Sequence, residues 1–164
     1  MELQALLQIV DQQEAALRFP AFNSQVAWEL GTLLHQKIVE ANIPIVVAIR
    51  AINGKTLFQY SSDGANFGSQ AWLDRKFKTV QHFERSTLHQ KLFLQSRGAT
   101  LADRGLSIAE FVAAGGGFPI RLTDSTLVGV LLVSGLKDTE DHAFIIDALS
   151  DYLQVKGVPA YPIN

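Results

Sequence analysis

The chain contains no cysteine among its 164 residues, which excludes disulfides, thiolate nucleophiles and cysteine-ligated metals. Charge is sparse and balanced, with 14 Lys and Arg against 16 Asp and Glu. Binding nucleic acid takes a phosphate-neutralising excess or a basic run, and the chain has neither. No window reaches the ~18 continuous apolar residues of a membrane span. The first residues, Met1 to Leu17, lack a basic n-region and a cleavage site. The expectation is a cytoplasmic protein whose partners include neither nucleic acid nor membrane. No linker or low-complexity tract interrupts the chain, and its length fits one domain over residues 1–154. Residues 155–164, with Pro159 and Pro162, read as an extended arm. The 48% hydrophobic content supplies a core and leaves room for subunit contacts.

Periodicity places the elements. Leu3, Leu6, Leu7, Val10 and Leu17 recur at helical spacing, and the helix ends near Arg18, ahead of Pro20. Asn23 or Ser24 caps a second helix with Val26, Leu30, Leu33, Leu34 and Ile38 on its buried stripe, closed by Asn42 and Pro44. Ile45 to Ile52 is a β-branched run suited to a buried central strand. Asn53-Gly54 predicts a type I′ turn into a returning strand over Thr56 to Tyr60. Phe67 to Arg97 is helical again, with Leu73, Phe77 and Val80 on one face and a restart at Ser86 or Thr87. Ser107 and Glu110 match a capping box and predict a short helix running into Gly115. Phe118 to Leu122 and Leu127 to Ser134 pair across Thr123-Asp124-Ser125. A last helix starts at Asp138 or Thr139, with Glu140 and Asp141 in the first turn, where the helix dipole favours anions. Strands arrive in adjacent pairs, so the class is α+β with an antiparallel sheet.

Three groups of residues could carry chemistry. Gly115, Gly116 and Gly117 either face a ligand closely or give a tight entry into a strand. Trp72, Arg75 and Lys76 share a helix face and can stack a ring and grip a carboxylate, or form a packed tryptophan beside a solvated or interfacial basic edge. His142, at a helix start, is a proton donor or a packing residue. His35, His82, His89 and His142 show no metal-ligand spacing, so no metal is expected. Ser86, Asp103, Arg104 and Glu110 lack any nucleophile motif context.

GGGFPI at Gly115 to Ile120, VGVLLVSGL at Val128 to Leu136 and EDH ending at His142 together resemble the haem-degrading-domain family, which includes the HbpS-like and GlcG-like proteins. The W-x-x-R-K segment and the helix pair before IVVAIRAING fit its uncharacterised bacterial and fungal branch. The resemblance runs from Leu3 to Leu153. It implies a profilin-like, five-stranded antiparallel sheet flanked by helices, a homo-oligomer and, in some relatives, haem. The chain departs from the family at Ala114, where a histidine often precedes the glycines, and no histidine falls in an obvious apolar slot. The expected function is an oligomeric module for a small ligand, haem-like or another anion, near Gly115 to Gly117, with Arg75, Lys76 and Arg121 supplying charge and Trp72 stacking. The alternatives are an enzyme with His142 as acid/base, and an interaction protein with the tryptophan group in a subunit interface.

Overall fold

The computed structural model describes all residues from Met1 to Asn164. The helices are α1 (Leu3–Ala16), α2 (Ser24–Ala41), α3 (Phe67–Phe83), α4 (Thr87–Ser96) and α5 (Asp138–Leu153). The strands are β1 (Val46–Ala51), β2 (Thr56–Ser61), β3 (Gly117–Arg121) and β4 (Leu127–Ser134). They form one antiparallel sheet in the order β2-β1-β4-β3.

Alternation along the central strands explains the layering. Val47 and Ile49 of β1 and Leu131 and Val133 of β4 pack into the large core beneath α2 and α5. Val46 and Ala48, with Val130 and Leu132, pack against Leu73, Phe77 and Val80 of α3 on the other face. Both faces are covered, so the central strands read as continuous apolar runs. A smaller core of Leu7, Val10, Leu88 and Leu92 joins α1 to α4.

Local capping sets the helix boundaries. The Asn23 side chain accepts from Val26 N–H at 2.9 Å, and Asn42 ends α2 in the left-handed region at φ 51°. Asn66 caps α3 through Ser69 N–H, and Glu84 stops it at φ 59°. Ser86 Oγ accepts from His89 N–H and starts α4.

Three expectations are corrected. The sheet has four strands rather than five. Outside β3 there is only a single parallel bridge between Phe19 and Leu122, and the chain bends at Pro20, so the pairing goes no further. The β1–β2 turn is not type I′, because Gly54 alone takes a positive φ (95°), with its N–H bonded to the Ala51 carbonyl. Asn53 instead uses its side chain to accept from Lys55 N–H. Ser107 to Glu110 make a turn, not a helix. The Glu110 carboxylate is drawn away to Lys78 at 2.8 Å, so the reciprocal cap never forms.

The C-terminal arm is docked. Gln13 Nε2 donates to the Pro159 carbonyl at 2.8 Å, and Lys137 Nζ reaches the Asn164 carbonyl. No helix is long and apolar enough to cross a membrane.

Phe19 is fully buried and packs edge-on against Phe22 and beside Tyr152. Phe19→Ala therefore costs ~3–5 kcal/mol in urea unfolding. A loss below ~1 kcal/mol would show that the bridge is peripheral to the core.

Candidate functional site

Helices α3 and α5 begin at the same end of the sheet, beside the exit of β4. Between them lies a cleft of about 580 Å³. Asn66, which caps α3, and Ser69 and Trp72 of α3 form one wall, and Asp138 and Asp141 of α5 form the other. Ser134 to Leu136 form the floor, and Lys91 of α4 and Ala114 stand at the side.

At its base is a buried ion pair. Lys76, reaching up from α3, is 2% exposed. Its Nζ donates to the Val133 carbonyl at 2.8 Å and to Asp141 Oδ2 at 3.1 Å. Asp141 also accepts from Leu136 N–H at 3.0 Å. Burial drives both groups toward neutrality. The Asp141 carboxyl is pushed up to about 6, and the Lys76 ammonium is held below its ordinary range, each pulled back by the other's charge. A second pair, Lys91 Nζ to Asp138 Oδ2 at 2.7 Å, spans the side wall. Burial alone would raise the Asp138 carboxyl, but Lys91 and the Gly115 and Thr139 amides outweigh it and hold it low.

The glycines pack against these helices. Gly116 sits at φ 119°, and a Cβ there would strike the Val133 carbonyl and Lys76 Nζ. A Cβ on Gly115 would strike the Asp138 carbonyl, and one on Gly117 would lie 2.8 Å from Thr87 Cγ2. Gly115 N–H donates to Asp138 Oδ2 and Gly117 N–H to Thr87 Oγ1. The three residues let the chain pass between α3, α4 and the start of α5. They do not line the cleft, whereas Ala114 does.

The sequence candidates separate here. Trp72, 40% exposed, and Lys76 meet at the cleft. Arg75 stacks on the Trp72 ring, 4.7 Å from its centroid, and donates to the carbonyls of Ile108 and Phe111. It fastens the 107–111 turn to α3 rather than entering the cleft. Arg121, at the opposite end of β3, donates to the carbonyls of Ser125 and Glu84.

His142 is fully buried, which corrects the expectation that no histidine occupies an apolar slot. It lies behind Gly115, near Phe118 and Tyr161. Its Nε2 bonds to Gln13 Oε1 at 2.8 Å, and Nδ1 has no partner. Burial lowers its pKa to about 3, against the opposing charge of Asp138. It does not reach the cleft, so acid/base work on a molecule held there falls outside its range. Lys91 and Asp138 went unnoticed as a site because they meet only through the fold, 47 residues apart. The acidic first turn of α5 was the one visible signal. No three His, Asp or Glu side chains converge as a metal-binding group.

The sequence matches the family model "Haem degrading protein HbpS-like" over residues 22–150. The UPF0303 protein mlr5144 of Mesorhizobium japonicum is 37% identical over 148 residues, covering 90% of this chain and 88% of that protein. Among solved structures, the Ybr137w protein aligns with a TM-score of 0.82 at 25% identity, covering 90% of this chain and 87% of that one. The PduOC:Heme complex aligns with a TM-score of 0.63 at 20% identity, covering 87% and 99%.

Removing one partner of the buried pair strands a charge. Lys76→Met and Asp141→Asn should each cost ~3–5 kcal/mol. The double variant should recover ~2 kcal/mol of their sum in a denaturant cycle. Additive losses would mean the pair is not coupled.

The buried histidines set the acid response. His142 and His89, the latter lowered to about 4 by burial and Arg85 against the pull of Asp11, lie below their unfolded value of 6.5. Their stabilisation is complete above pH 6.5 and is lost as pH falls, at up to ~1.4 kcal/mol per unit for each. Asp141 has the opposite sign, because its raised carboxyl favours the fold as pH drops below about 6. The histidines dominate, so stability should fall from pH 7 to 5. His142→Gln should flatten that slope, whereas an unchanged slope would place the titration elsewhere.

Proposed function

The chain belongs to the family of HbpS-like haem degrading proteins, and on that premise we propose that it is a cytoplasmic, homo-oligomeric binding module whose cleft takes a small, flat organic anion. The observation that carries this reading is the meeting of a partly exposed Trp72 ring with Lys91 at one concave opening. Flat ligands gain from stacking on an indole, and a carboxylate gains from an ammonium beside it. Lys91 is one-third exposed and pairs with Asp138. Asp138 keeps the Gly115 N–H as a second partner, so Lys91 can turn to a ligand carboxylate without leaving Asp138 bare. The start of α3, on the cleft wall, adds the positive end of its dipole.

Haem is the first ligand that the family brings to mind, and a haem complex is among the structural neighbours. The residues present fit it only in part. Trp72, Ala114 and Leu136 offer a ring surface, and Lys91 a cation for a carboxylate arm. An axial ligand to iron would be His, Cys, Met or Tyr, and none of these lines the cleft. Iron ligation therefore has no support at this site, and a porphyrin held here would be held as an organic dianion.

In a Trp28→Phe background, quenching of Trp72 fluorescence reports occupancy. The expected result is saturable quenching by haem and by iron-free protoporphyrin with affinities within ~3-fold of each other. Lys91→Ala should weaken both about 10-fold, or ~1.4 kcal/mol. Absence of quenching, or a Lys91→Ala variant that binds normally, would overturn the reading. A haem preference of ~100-fold (~2.7 kcal/mol) would require an iron ligand this cleft lacks.

A further inference from the structure

The sheet has one covered edge and one open edge. Phe19 closes the outer side of β3, donating its N–H to the Arg121 carbonyl at 2.8 Å and accepting from Thr123 N–H at 3.1 Å. Nothing closes β2. Ser62 N–H donates to the Ile45 carbonyl at 3.1 Å, which fixes the alternation. Phe58, Tyr60 and Ser62 turn their backbone groups toward β1, while Gln59 and Ser61 turn theirs outward. No loop or helix supplies a backbone hydrogen bond to Gln59 or Ser61.

Proteins shield such an edge with charge, proline or a bulge. Thr56 to Ser61 contain no charge and no proline. The register shift opposite Ile49 and Arg50 distorts only the strand's first part, near Leu57, and leaves Phe58 to Ser62 regular. The apolar surface continues onto α2, where Trp28, Thr32, His35 and Val39 form a solvent-facing stripe. Trp28 is 61% exposed and stands edge-on to Phe58, and His35 is edge-on to Tyr60.

We propose that a second copy of this chain docks on this edge, its β2 adding antiparallel across a two-fold axis through Tyr60. This deepens the homo-oligomer part of the reading above and is independent of which ligand the cleft takes. The register follows from the backbone. Centred on Tyr60, Gln59 of each copy exchanges hydrogen bonds with Ser61 of the other, and the bulge stays outside the new ladder. The same axis complements charge. Lys55 and Asp63, both exposed, flank the strand. The bulge draws Lys55 back one place, which brings it beside the partner's Asp63–Gly64 turn at each end of the interface. That turn leads within three residues to Asn66 on the cleft wall, so the partner's β1–β2 hairpin would stand near the cleft mouth.

Sedimentation velocity on the full chain, with ligand absent, tests this. The wild type should sediment as a multiple of the 18.0 kDa protomer. Lys55→Asp should weaken association at least ~10-fold by setting two aspartates together, and adding Asp63→Lys should restore it. Gln59→Pro should abolish it by placing a ring where the ladder needs an N–H. Circular dichroism shows whether each variant is folded, and the charge swap stands as the test if Gln59→Pro unfolds. A wild type at 18.0 kDa throughout, a charge swap that fails to restore association, or a folded Gln59→Pro of wild-type mass would overturn the proposal. None of these results bears on Trp72 quenching, so the two readings fail separately.

Discussion

The Lys76–Asp141 pair is the constraint on which the working end of the molecule depends. An ammonium and a carboxylate this deeply buried are tolerated only if each is paired and hydrogen-bonded. The fold meets that demand from three directions, with the Val133 carbonyl at the end of β4, the Leu136 amide in the following turn, and the two side chains from α3 and α5. Meeting it ties the middle of α3 to the first turn of α5. It also dictates Gly116, because only a residue without a Cβ can pass over Lys76 at that conformation. The cleft is the space left above this strut. Its shape comes from a structural interaction, and the groups free to meet a ligand, Trp72 and Lys91, sit above it.

Much of the fold was legible because its signals are local. The apolar run of Ile45 to Ile52, the cap at Asn23, the stop at Asn42 and the acidic start of α5 each act within a few residues, and each stands where the pattern placed it. The misreadings come from long-range competition. Ser107 and Glu110 have the right spacing for a cap, but Lys78 takes the carboxylate from another helix. A fifth strand fits the family pattern, but the chain bends directly after Phe19 and the pairing stays at one bridge.

The site was legible in composition and obscure in arrangement. Trp72 and Lys76 stand out as an aromatic and a cation four residues apart, a spacing that holds on any helix. Which cation faces outward is a matter of packing. Lys76 turns inward to Asp141, and Arg75 turns away to two carbonyls. Lys91, with no motif around it, arrives from a different helix. The glycine run looked like a ligand loop because close approach to a ligand and close approach to a buried lysine require the same missing Cβ. His142 read as either a proton donor or a packing residue because burial is invisible in one dimension, and its burial lowers its pKa and keeps it away from the cleft.

The most direct test is a map of backbone and indole amide shifts in the ¹⁵N-labelled protein as iron-free protoporphyrin is added. The account predicts changes concentrated at Ser69, the Trp72 indole, Gly135, Leu136 and Asp138, the groups that face the cleft above the strut. Changes centred instead on His142 and the docked arm around Tyr161, or scattered without a centre, would contradict it.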